Sequence, residues 1–209
     1  MLCKTWIEKK KYFVVGCTTN PGDCDKFAAE LPSNVKVFYN PEFIAQGSII
    51  NDLRTADMVL LGHDLQDETI NDIVADIKKL YIKIQTTRAI VCTMSNTAAE
   101  VTKIATNCFL TTKISYANML GDVLRQSGCG DEITSVLGAI GADSRVGKKY
   151  LNYGYGYGGP CLPRDNLVRL MQKIKQSRSV TVLVDDIEII VMLADSNKGD
   201  KLRMMSDLH

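Results

Sequence analysis

Tyr12-Phe13-Val14-Val15-Gly16-Cys17-Thr18-Thr19-Asn20-Pro21-Gly22 decides the fold class. Its first six residues carry no charge and are rich in β-prone types. They read as a buried strand, and Thr18 to Gly22 read as the turn that ends it. Working outward, a short helix through Ala28-Ala29-Glu30-Leu31 precedes a second strand, Val35-Lys36-Val37-Phe38-Tyr39. Met58-Val59-Leu60-Leu61-Gly62 reads as another buried strand. Ile70, Ile73, Val74, Ile77, Leu80 and Tyr81 share one face of a helix spanning about Asp67 to Ile84. Ala89-Ile90-Val91-Cys92 closes the series as a strand. Strands separated by helices imply a mostly parallel α/β sheet.

The pattern changes near residue 95. Thr97-Ala98-Ala99-Glu100 has the form of a capping box, and Gly128 is a suitable helix stop. The helix between them is more than twice the usual ~11–12 residues. Two more helices are expected, from about Asp131 to Ile140 and from Arg164 to Lys175. Val180 to Val184 reads as a strand or helix start, with a helix through Ile187 to Leu193. The expected organisation is a partial Rossmann-like sheet over residues 1–94, joined by the long helix to an all-α piece over 95–209. Residues 178–209 fit this scheme poorly.

Composition narrows the classes. The chain has 209 residues, 45% hydrophobic and 23% charged, with a formal net charge of +1. Such a balance gives no support for a nucleic-acid or membrane surface. No apolar run reaches the ~18 residues of a membrane span, and the N-terminus lacks the apolar core of a signal peptide. Seven cysteines, an odd number without C-x-x-C, accompany only two histidines. That pattern argues against zinc and points to free thiols in a reducing cytosol. Cys17, Cys92 and Cys108 fall inside apolar stretches and read as core.

Cys161 differs. It lies in Gly154-Tyr155-Gly156-Tyr157-Gly158-Gly159-Pro160-Cys161-Leu162-Pro163-Arg164-Asp165, where glycines permit close approach to a ligand and prolines stiffen the chain. This makes Cys161 the candidate nucleophile, with a small buried hydrophobe as the alternative. Gly154, Gly156 and Gly159 satisfy G-x-G-x-x-G, but Lys148-Lys149-Tyr150-Leu151-Asn152-Tyr153 is no apolar strand, and Pro160 and Pro163 interrupt the helix that the motif requires after it. The dinucleotide reading of this loop is therefore rejected. Lys103 and Asn107 stand one turn apart on the long helix and suit oxyanion and hydroxyl contacts. Spacing alone favours the alternative of a surface lysine and a mid-helix asparagine. Glu42 follows a strand, as a base or as a helix cap, and Thr18 ends one, as a ligand contact or as a turn former. Tyr150, Tyr153, Tyr155 and Tyr157 suit stacking on a base or sugar, or walling the glycine loop.

These pieces resemble the UDP-glucose/GDP-mannose dehydrogenase family of nucleotide-sugar 6-dehydrogenases. The matching motifs are Cys17-Thr18-Thr19-Asn20-Pro21-Gly22 and Asn40-Pro41-Glu42-Phe43-Ile44-Ala45-Gln46-Gly47-Ser48. Lys103-Ile104-Ala105-Thr106-Asn107, Asp143-Ser144-Arg145-Val146-Gly147 and Gly156 to Asp165 come next, in family order. The resemblance implies NAD-dependent oxidation of a sugar C6 alcohol to a carboxylate, as in UDP-glucose to UDP-glucuronate. It implies that Cys161 forms a thiohemiacetal and then a thioester, a role suited to a thiolate. By the same carry-over Lys103 stabilises the oxyanion, Asn107 positions the hydroxyl, and Asp165 with Thr18 assists proton transfer. Glu42 serves as base in hydrolysis. Substrate contacts are implied at Glu42, Phe43, Lys103, Asn107, Arg145, Asn152, Tyr153, Tyr155 and Gly158, and cofactor contacts at Thr18, Gln46 and Arg164.

Gln46 stands where relatives usually carry glutamate, and Arg164 where they often carry lysine. The strand and G-x-G-Y-V-G loop that open full-length relatives are not in this sequence, nor is their second α/β domain. The chain is thus expected to be truncated, to leave a sheet edge open, and to lack turnover by itself unless another chain supplies the missing parts. A homodimer through the central helix is implied, and a cytoplasmic location. The competing expectation is a non-catalytic remnant or assembly module of the same family.

Overall fold

The computed structural model describes residues 11–43, 48–158 and 161–167. Two compact units divide the chain, Met1–Lys103 and Ile104–His209. The first contains β1 (Lys11–Val15), α1 (Asp23–Glu30), β2 (Val35–Tyr39), α2 (Ile49–Arg54), β3 (Met58–Gly62), α3 (Asn71–Ile84) and β4 (Ile90–Met94). Helix α4 (Asn96–Gln126) starts in the first unit and continues into the second, which also holds α5 (Ile133–Ala142) and α6 (Leu162–Leu167). α2 has no counterpart in the sequence reading. The expected elements beyond residue 167 lie outside the described residues.

The four strands form one sheet in the order β1-β2-β3-β4. β1 pairs with β2, and β3 with β4, in parallel. β2 meets β3 antiparallel at the single pair Tyr39–Gly62. The sheet is therefore mostly parallel, as expected, and mixed only through that one antiparallel pair.

Alternation along β2 and β3 gives two apolar layers. Val37, Tyr39 and Leu60 pack with Val15, Cys24 and Ala99 on one face. Phe38 and Leu61 pack with Ile70 and Val74 on the other. Gly62 lets α4 close on the sheet, since a Cβ there would stand 3.0 Å from both Ala99 and Asn96. Two expectations are corrected. β1 is not a buried strand: it stands at the end of the sheet, with only Val15 buried and Tyr12, Phe13 and Val14 exposed. Leu80, expected on the inner face of α3, is also exposed, because it lies beyond the reach of the Phe38–Leu61 layer.

The capping box is corrected too. The Ser95 hydroxyl accepts from the Ala98 amide, so Ser95 caps α4, while Thr97 donates to Asp25. Glu100 is engaged elsewhere. In the second unit Ala117, Ile133, Leu137 and Leu151 form the core under α4 and α5. α4 stops as expected at Gly128 (φ 78°), whose neighbour Cys129 donates its amide to the Leu124 carbonyl.

Candidate functional site

The first unit gathers several candidate groups where β1 and β2 end. The two strands stay paired past their ends, with the Glu42 amide donating to the Gly16 carbonyl at 3.3 Å. Thr18 therefore leaves β1 next to the point where Glu42 and Phe43 leave β2. Lys103 comes to the same place from α4. Only 8% exposed, it donates from Nζ to the Glu42 carbonyl at 2.6 Å and lies 4.1 Å above the Phe43 ring. A cleft of about 320 Å³ opens beside them, lined by Gly16, Asn40, Glu42, Phe43, Asp52 and Tyr81. Tyr81 donates to the Asn40 side chain, which in turn donates to the Leu60 carbonyl. Gln46 lies outside the described residues.

The second unit holds the thiol. Cys161 is exposed and immediately precedes α6, its carbonyl accepting from the Asp165 amide at 2.9 Å. That turn is pinned to α4 by buried polar groups. Asn107 donates to the fully buried Asp165 carboxylate at 2.6 Å, and Thr111 donates to Asn166, which donates back to Leu162. Sequence reasoning finds Asn107 and Asp165 but misses Thr111 and Asn166. Thr111 stands one turn beyond Asn107 on α4, and Asn166 directly follows Asp165 on α6, so each is a polar neighbour of a candidate residue. Arg164 falls within α6, and its side chain lies outside what is described.

The remaining candidates of this unit differ in exposure. Tyr153 packs edgewise into α4, where a Cβ on Gly121 would fall 1.9 Å from its ring. Its hydroxyl donates to Asp122, which pushes the phenol above its ordinary pKa, and Arg125 stacks 4.9 Å from the ring. Tyr153 thus walls the glycine loop, together with Asn118, which accepts from the Gly154 amide. Tyr155 is 99% exposed, and Asn152 and Gly158 are exposed as well. Arg145 is exposed but already paired, its guanidinium forked on Asp143 at 2.7–3.2 Å. Lys113 secures that turn by donating to the Val146 and Gly147 carbonyls.

Among the cysteines the reading is corrected for Cys17, which is exposed in the loop after β1. Cys24, not singled out, is the fully buried one among the described cysteines. Burial pushes the Cys24 thiol up, and the Glu100 carboxylate beside it adds to the rise. Cys108 is half-buried and pushed up to about 11, mainly by burial with the Asp165 charge adding. Neither buried thiol is poised as a thiolate.

The likeness to known families agrees with these motifs. Residues 3–85 match the UDP-glucose/GDP-mannose dehydrogenase family NAD binding domain, and residues 97–190 match the central domain of the same family. The chain belongs to the UDP-glucose/GDP-mannose dehydrogenase family. Among relatives of this family, the UDP-glucose 6-dehydrogenase of Rickettsia conorii is 32% identical over 206 residues, covering 97% of this chain and 44% of the relative. UDP-glucose 6-dehydrogenase 4 of Arabidopsis thaliana is 36% identical over 139 residues, 66% of this chain and 28% of the relative. The structure of a UDP-glucose dehydrogenase from Pyrobaculum islandicum superposes with a TM-score of 0.67 at 27% identity, over 88% of this chain and 41% of that one. The chain therefore spans less than half the length of these relatives.

The cofactor of the family is NAD. A dinucleotide pyrophosphate needs a strand-to-helix turn whose helix N-terminus is open to it. The turn from β1 into α1 does not fit: its amides are taken by Glu100, and Asp23 and Asp25 crowd the first turn with negative charge. No helix among the described residues is long and apolar enough to cross a membrane. No group of three or more His, Cys, Asp or Glu among them is placed to hold a metal.

Proposed function

We propose that this chain carries the thiol-bearing part of a nucleotide-sugar dehydrogenase that oxidises the C6 alcohol of a UDP-hexose to a carboxylate. The observation that supports it most is the exposed Cys161 on a turn that Asn107 and the buried Asp165 pin from below. In this reading the Cys161 thiolate adds to the C6 aldehyde carbon, and the carbonyl oxygen takes a proton to give a thiohemiacetal. Loss of hydride from that carbon, with the hydroxyl proton released to water, leaves a thioester. Water then adds to it, the C–S bond breaks, and acid and thiol are released. The two oxidations each release a hydride, for which NAD is the acceptor in this family. Asp165 holds the Asn107 amide and the Cys161 turn in register, and Arg145 and Tyr155 are the exposed groups suited to phosphate and base.

Alkylation of Cys161, followed by peptide mass mapping, tests the reading without requiring turnover. UDP-glucose should slow the reaction at Cys161 and leave Cys129 unaffected. An unchanged Cys161 rate at saturating UDP-glucose counts against the assignment.

A second reading, an assembly module acting with a second copy of the chain in the cytosol, is favoured by one stripe on α4. Phe109, Tyr116, Met119 and Val123 are all exposed, at steps of seven, three and four residues, the spacing of a helix seam. Met119→Glu should turn a dimer into a monomer in light scattering. A wild-type chain that is already monomeric removes this reading.

A further inference from the structure

Glu100 is a fully buried carboxylate that does not fill the capping-box role its sequence pattern suggests and that the proposed chemistry leaves unused. One oxygen accepts from the Thr19 hydroxyl at 2.8 Å and the Cys24 amide at 2.9 Å, and the other from the Gly22 amide at 2.6 Å. All three donors belong to the turn that leaves β1 and to the first residues of α1. Gly22, the residue ahead of the helix, has φ 90° and no side chain to cap it. The helix instead receives its negative partner from α4. On that helix Lys103 comes three residues after Glu100 and takes the Glu42 carbonyl. Two buried charges on one face of α4 thus hold the ends of two adjacent strands.

We propose that Glu100 is a positioning residue: its carboxylate stands in for a bound anion at the start of α1 and latches the Thr18–Gly22 turn, keeping Thr18 next to Glu42. A dinucleotide phosphate is excluded from this turn for the same reason. The proposal rests on the functional reading only in the use made of Thr18, since the latch itself does not depend on turnover.

Cys24 reports on the latch, because its amide is one of the three donors and its thiol is fully buried. Glu100→Gln keeps the shape but sets an amide N–H against the Gly22 or Cys24 N–H. Opening of the turn should then speed Cys24 alkylation by ~10-fold or more, with Cys92 on the same core changing by less than ~2-fold. Glu100→Ala should do the same, and added formate should restore protection where chloride at equal ionic strength does not. A role limited to filling space predicts equal rescue by both salts. Unchanged Cys24 protection in both variants, or equal rescue, overturns the latch. Loss of Cys161 protection by UDP-glucose in the wild type would instead overturn the functional reading and leave the latch standing.

Discussion

β1 and β3 are five-residue strands of similar composition, Lys-Tyr-Phe-Val-Val and Met-Val-Leu-Leu-Gly, yet four of five residues are buried in β3 and one in β1. β3 has a strand on each side and a helix layer on each face, while β1 ends the described sheet. Position in the sheet, rather than hydrophobicity, sets how much of a strand is buried, because a side chain is covered only by a neighbouring element.

Pairs of matched substitutions can break or sharpen this contrast. The largest expected effect is Leu60→Ala, about 2–5 kcal/mol of lost stability in denaturant unfolding, against about 1 kcal/mol or less for Phe13→Ala. Equal losses would erase the distinction between the two strands. The same logic applies to two helical glycines. Gly121→Ala drives a methyl into the Tyr153 ring and should cost about 1–3 kcal/mol. Gly138→Ala, with nothing within 4 Å, should stabilise by about 0.5–1 kcal/mol. Next in size are the two hydroxyls at the start of α4. Ser95→Ala should lower stability by about 1 kcal/mol as a lost cap, with Thr97→Ala costing less than half of that.

The smallest effect is a pH dependence. Lys36 foremost, with Thr69, holds Asp67 down to about 2. The unfolded carboxyl titrates near ~3.9, so this contribution is complete above that pH and disappears as pH falls towards 2. Lys36→Met should flatten the stability profile over that window and leave it unchanged near neutrality.

The same contrast explains how much of the fold is legible in the sequence. β2 and β3 can be read to the residue, because their apolar pattern and their tertiary burial agree. β4 and α3 can be placed but not their burial, since β4 has no buried residue and α3 buries only Val74. The place of β1 can be read but not its exposure, since a run of apolar residues says nothing about which element covers it. Thr97-Ala98-Ala99-Glu100 fits the capping-box pattern, but Glu100 finds donors more than seventy residues earlier in the chain. No local motif encodes that choice. Cys17 and Cys24 exchange places for the same reason: the apolar neighbours of Cys17 lie in the strand, and the residue itself begins the loop. Among the candidate site residues, Asn107 and Asp165 are legible only through the family motifs, since spacing alone favours a plain mid-helix asparagine.

Arg145 has a further consequence for ionic strength. Its guanidinium meets Asp143 fork to fork, so the arm is pre-set in direction and its charge is already largely balanced. An incoming phosphate would exchange one carboxylate for another anion instead of neutralising a bare cation, and fewer solution ions would be displaced. Binding through such an arginine should weaken only gently as salt is raised, and Asp143→Asn should steepen that dependence while tightening binding at low salt.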